Sequence, residues 1–118
     1  MATRQARPGW VVRLSITRRG GWRAWAQTSG DFERRLAALA SKTVSNPHID
    51  AESRRGREYV RVTVAVTVKA TDVAEALASA WHTFRQAAHD DVHGWDMASA
   101  AAEVRPAESK PPRKSVRQ

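Results

Sequence analysis

From Trp10 to Arg18 the chain alternates, with Trp10, Val12, Leu14 and Ile16 on one side and Val11, Arg13, Ser15 and Thr17 on the other. That period of two is the mark of a half-buried strand. A second, stronger run follows from Tyr59 to Lys69. Val60, Val62, Val64, Val66 and Val68 form one face, and Tyr59, Arg61, Thr63, Ala65, Thr67 and Lys69 form the other. Its length and β-branched content predict the middle of a sheet.

Between these runs the periodicity changes. Gly20-Gly21 separates the first strand from Trp22 to Thr28, and a Gly pair suits a tight hairpin because both residues accept positive φ. The expectation is a second strand there, with an irregular loop carrying two Trp as the alternative. Ser29-Gly30-Asp31 then offers capping oxygens, and Phe32, Leu36, Leu39, Ala40 and Thr43 recur at helical spacing. The first helix is predicted from about Asp31 to Val44, with Glu33 in its first turn and Asn46-Pro47 stopping it.

His48 to Ser53 reads as a short strand, and Arg54-Arg55-Gly56-Arg57 as a turn. Thr71 or Asp72 caps a second helix, with Glu75 completing a capping box if the cap is Asp72. Its predicted buried stripe is Val73, Leu77, Ala80, Trp81, Phe84 and Ala88, and Gly94 is placed to terminate it. Trp95 to Arg105 gives a last strand, poorly phased because Ser99 to Ala102 are all small. Trp10, Trp81 and Trp95 all read as core.

The resulting order is β(β)αββαβ, an α+β chain. Without the bracketed strand it resembles the ferredoxin-like fold, a two-layer sandwich. That resemblance implies an antiparallel sheet of four or five strands with two helices on one face. It carries no activity with it, because the fold hosts many functions.

Charge changes the picture at the ends. The 118 residues carry +8, but residues 10 to 104 hold 13 basic and 11 acidic side chains. The rest of the surplus lies in residues 1–9, read as a flexible basic N-terminus, in Arg105, and in 106–118, read as a disordered basic tail containing Pro. Residues 10–105 form the single expected domain. The absence of Cys excludes disulfides, thiolate metal sites and a Cys nucleophile. No apolar segment follows the basic start of MATRQARPGW, so the expectation is a soluble, unprocessed protein without membrane contact, the cytosol being the default compartment. With 16 Arg against 4 Lys, 21 Ala and two Ile, the composition resembles that of small proteins from actinobacteria and their phages. The likeness is one of composition alone.

Two kinds of binding surface stand out. Nucleic-acid phosphates suit Arg18, Arg19 and Arg23 near the Gly pair, Arg54, Arg55 and Arg57 in the turn, and Lys110, Arg113, Lys114 and Arg117 in the tail. Trp22, Trp25 and Tyr59 lie near those charges as stacking surfaces. The aromatic platform of an RNA-recognition domain is absent, since the long strand offers Arg61, Thr63, Ala65 and Thr67 there. A protein partner, or a second copy, is the leading expectation: Val11, Tyr59, Arg61, Thr63, Ala65 and Thr67 make a small, flat open sheet face, to which Trp25 adds an anchor if it points the same way. The competing description of that face is a solvated, Thr-rich surface.

Chemistry is thinly represented. His89 and His93 stand four apart near His82, Asp90 and Asp91, a spacing that can hold a metal on an intact helix, but the helix is expected to fray there. His at a helix C-terminus also favours the dipole by itself. There is no phosphate-cradling Gly loop, no nucleophile elbow and no recognisable carboxylate pair. The expectation is a protein without catalytic activity or cofactor.

Overall fold

The computed structural model describes residues 8–53, 59–88 and 94–107. In it the first alternating run becomes β1 (Gly9–Arg19), and the valine run becomes β3 (Tyr59–Lys69). The two pair antiparallel from Gly9 opposite Lys69 to Arg19 opposite Tyr59. Val12, Leu14 and Ile16 thereby lie on the same face as all five valines of β3, and every one of these is buried. β2 (Val44–Ser53) pairs with β3, and β4 (Trp95–Pro106) pairs with β1, both antiparallel. The sheet order is β2-β3-β1-β4, so β2 and β4 are its edges.

The second strand expected at Trp22–Thr28 does not form. Helix α1 runs Gly21–Ala38 and takes in that whole segment. Gly20 and Gly21 do adopt positive φ, at 91° and 74°, but they turn the chain directly into a helix. A Cβ on Gly20 would stand only 2.8 Å from the Ala24 Cβ. Gly21, Trp25, Phe32 and Leu36 are the buried residues, a spacing of four, seven and four that belongs to a helix face. The Ser29-Gly30-Asp31 cap signal lies mid-helix. The helix also ends at Ala38 rather than Val44, and the Ser41 hydroxyl accepts from the Thr43 and Val44 amides beyond it at 3.1 and 3.2 Å. Asn46-Pro47 therefore stops no helix. It lies inside β2, with Asn46 at φ 53° and the register shifted between Ser45 and His48.

Helix α2 spans Val73–Ala88. Asp72 Oδ1 accepts from the Glu75 amide at 2.8 Å, and Glu75 Oε1 reaches back to the Thr71 amide at 2.8 Å. The capping box is thus closed one residue further out than the sequence predicts. Both helices pack on the valine face. Trp25, Phe32, Phe84 and Trp95 meet there with ring centroids 5.0–6.0 Å apart, mostly edge to face.

The buried stripe of α2 is the predicted one only in part, with Ala80, Phe84 and Ala88 buried as expected. Ala76, Ala80, Thr83, Phe84, Ala87 and Ala88 face the core. Val73 is 47% exposed, and Leu77 and Trp81 are only partly buried. The helix is turned so that its small residues sit on the sheet, and its apolar surface is wider than the sheet beneath it.

Candidate binding surfaces

The sheet face away from the helices is defined by register. Across β3 and β1, Thr67 lies opposite Val11, Ala65 opposite Arg13, Thr63 opposite Ser15 and Arg61 opposite Thr17. Ser45, His48, Asp50 and Glu52 flank these positions on β2, and Arg105, Glu103, Ala101 and Asp96 on β4. Val11, Arg61, Thr63, Ala65 and Thr67 therefore share the open face as expected, each half-buried. Their polar groups are partly spent on one another. Ser15 Oγ and Thr63 Oγ1 lie 3.0 Å apart, and Arg61 Nη1 donates to Thr17 Oγ1 at 3.1 Å and to the Ser99 carbonyl at 3.0 Å. Trp25 supplies no anchor, because α1 carries it to the opposite side and leaves it 5% exposed. The backbone of Tyr59 lies opposite Arg19; its side chain is outside the described residues.

The predicted phosphate contacts divide sharply. Arg18 is 4% exposed, its guanidinium carbon 5.3 Å from the Trp95 ring centroid and its Nη2 donating to Thr28 Oγ1 at 3.2 Å. It continues the series Val12, Leu14, Ile16 and so points under the helices, which removes it from the surface set. Arg19 and Arg23 are exposed. Arg19 lies 3.6 Å from Asp96, a pair held mostly in solvent. Arg54, Arg55, Arg57, Lys110, Arg113, Lys114 and Arg117 lie outside the described residues. Ser53 pairs with Val60, and Arg19 with Tyr59, so the residues flanking the Arg54–Arg57 segment meet Arg19 at one end of the sheet.

A third surface was not foreseen. On the β4 side, the flank of α2 formed by Ala74, Leu77, Ala78 and Trp81 overhangs Ala100, Ala101 and Ala102 of β4, with Leu14 at the floor. The hollow has a volume of about 420 Å³ and is almost wholly apolar in lining residues. A second hollow shares Ala78 and Trp81 and runs on past Phe84 to Trp95 and Met97. Trp81 is fixed by stacking on Phe84, with centroids 5.4 Å apart and planes 10° off parallel. Met97 is 40% exposed. The signal for this surface is present in the chain: an apolar helix face wider than four small residues of the last strand can cover.

Of the metal candidates, His82 is exposed on α2, and His89, Asp90, Asp91 and His93 lie outside the described residues. Among the described residues no group of three His, Cys, Asp or Glu is placed to hold an ion. No helix among them is long and apolar enough to cross a membrane. Comparison with known proteins gives no relative: no family model, no curated protein and no solved structure matches the chain.

Proposed function

We propose that the chain is a small, non-catalytic protein-binding module of ferredoxin-like type, working in the cytosol and docking protein along its α2–β4 side. The fold assignment rests on the βαββαβ order and on β3 lying between β1 and β2, the arrangement of a split βαβ unit. The binding assignment rests on one observation: Val73, Leu77, Trp81 and Met97 stand on a flank that the protein's own sheet leaves uncovered. Isolated exposed apolar residues are ordinary, but a contiguous strip centred on a fixed Trp is the usual make-up of a docking surface. The open face is the weaker candidate, since its charges are mixed and its hydroxyls bond one another.

Site-specific photo-crosslinking tests this assignment. A photoreactive side chain at Met97 forms protein adducts in cells expressing the chain, and one at Thr63 does not. Adducts only at Thr63, or adducts to nucleic acid alone, contradict it.

Nucleic-acid binding is the second reading, favoured by the register that brings Arg19 and both flanks of the Arg54–Arg57 segment to one sheet end. Under it, anisotropy of labelled DNA or RNA falls steeply with salt and survives removal of residues 106–118. Binding that disappears with the tail reduces the charge to nonspecific attraction.

A further inference from the structure

We propose that the protein associates with a second copy of itself through the edge of β4, joining two four-stranded sheets into one of eight strands. This deepens the reading of the α2–β4 flank as a protein-binding surface and rests on it. The backbone provides the first argument. The Ala107 amide donates to the Gly9 carbonyl on β1 at 2.9 Å. The ladder from Trp10 opposite Pro106 to Ser15 opposite Ala101 is regular, and beyond Ala101 it shifts register, with Thr17 opposite Asp96. By alternation Arg105, Glu103 and Ala101 turn their backbone groups toward β1, and Pro106, Val104 and Ala102 turn theirs outward. An edge strand offers such groups as a template for another strand.

Self-complementarity selects the partner and the register. A two-fold axis at Ala102 places Ala102 opposite its own copy and Val104 opposite Ala100 of the second copy. On the open face Glu103 then meets Ala101, and Arg105 meets Ser99, so no like charges face one another. Moving the axis to Glu103 sets two carboxylates directly opposite. Moving it to Val104 brings Pro106, which has no amide, opposite Ala102 beside the axis, whereas with the axis at Ala102 it falls at the end of the ladder opposite Ala98. The alanines add no bulk that would hold the strands apart. Leu77 and Trp81 of each copy close over the axis and cover the hollow from both sides.

The overlap from Ala98 to Pro106, which crosses the register shift beyond Ala101, is at most about 30 Å long, and strand plus overhanging helix is about 20 Å deep. The product, about 600 Å² per copy, lies at the lower end for a specific interface and fits a reversible dimer of micromolar affinity. Both edges carry a register shift, β4 between Ala101 and Asp96 and β2 between Ser45 and His48, but β2 is the less suited to the role because it also carries Pro47 and a positive-φ Asn46 at the irregularity.

Sedimentation velocity of the full chain, over a concentration series reaching the upper micromolar range, tests the proposal. The expected result is a monomer–dimer equilibrium. Ala102→Pro, which removes only an outward amide, weakens it about tenfold or more while circular dichroism and melting stay close to the parent. Leu77→Glu, at a half-exposed helix position, weakens it independently, and Thr63→Glu leaves it unchanged. A chain that stays monomeric throughout overturns the proposal, as does a dimer that responds to Thr63→Glu and not to Ala102→Pro. Monomeric behaviour together with Met97 protein adducts in cells overturns self-pairing alone and leaves the wider binding assignment standing.

Discussion

The two edges of this sheet face the same hazard and are built in opposite ways. Along β2, Asn46 takes a left-handed conformation, Pro47 lacks an amide, the ladder shifts between Ser45 and His48, and Asp50 and Glu52 follow on the open face. Each of these is a device that discourages a foreign strand. Along β4, residues 97–102 carry no charge, four of the six are Ala, and the overhanging flank of α2 is apolar. β4 has a register shift of its own between Ala101 and Asp96, and Glu103 and Pro106 add a charge and a proline toward its end, so what sets it apart from β2 is the uncharged small-residue stretch and the apolar flank above it. One sheet thus has a more guarded edge and a more open one, and the more open one adjoins the uncovered apolar flank of α2. That asymmetry is what supports the proposal of binding on one side of the molecule.

The comparison can be broken most forcefully at the start of β4. Trp95 anchors that strand in the aromatic cluster, and Trp95→Ala is expected to cost about 3–5 kcal/mol in urea denaturation. A loss below about 1 kcal/mol would mean that β4 is held by its ladder and not by the core. Next in size is a pair of neighbouring prolines. Ala101→Pro removes an inward amide and is expected to destabilise the fold by about 1–3 kcal/mol. Ala102→Pro removes an outward one, and its main effect falls on association. Equal destabilisation by the two refutes the assignment of inward and outward groups.

Opening the guarded edge sharpens the contrast further. Pro47→Val with Asp50→Val is expected to extend association from dimers to larger species in light scattering, since both edges then accept a strand. Unchanged mass would show that charge and proline are not what guards β2. The smallest effect belongs to Arg19→Ala. Its contact with Asp96 is largely exposed, so thermal denaturation should change by less than about 0.5 kcal/mol.

Much of this architecture is legible in the chain. Strong alternation marks β1 and β3 because one side of each is wholly buried, and the Asp72–Glu75 signal marks the start of α2. The failures have local causes. Trp22 and Trp25 stand three apart, a spacing that serves a helix as well as a ribbon, and a Gly pair can turn a strand into either. Ser29-Gly30-Asp31 has the residues of a cap without being one, because Trp25 and Phe32 continue one face through it. The charge of Arg18 points to phosphate, but its phase in the alternation places it beneath the helices against Trp95. Period two places Val11, Arg61, Thr63, Ala65 and Thr67 on the open face, as the register has them, while Trp25 lies on the other side. The α2–β4 flank is hidden in the sequence, where Val73, Leu77 and Trp81 fit a core stripe and only the small size of Ala100 and Ala102 tells that the sheet cannot cover them.

Amide hydrogen exchange at two protein concentrations, followed residue by residue by NMR, tests the difference between the edges most directly. If β4 is the associating edge, the outward amides of Ala102 and Val104 become protected as concentration rises, while the edge amides of β2 exchange at the same rate in both samples. Exchange at Ala102 and Val104 that is independent of concentration, or protection that rises along β2 instead, contradicts the account.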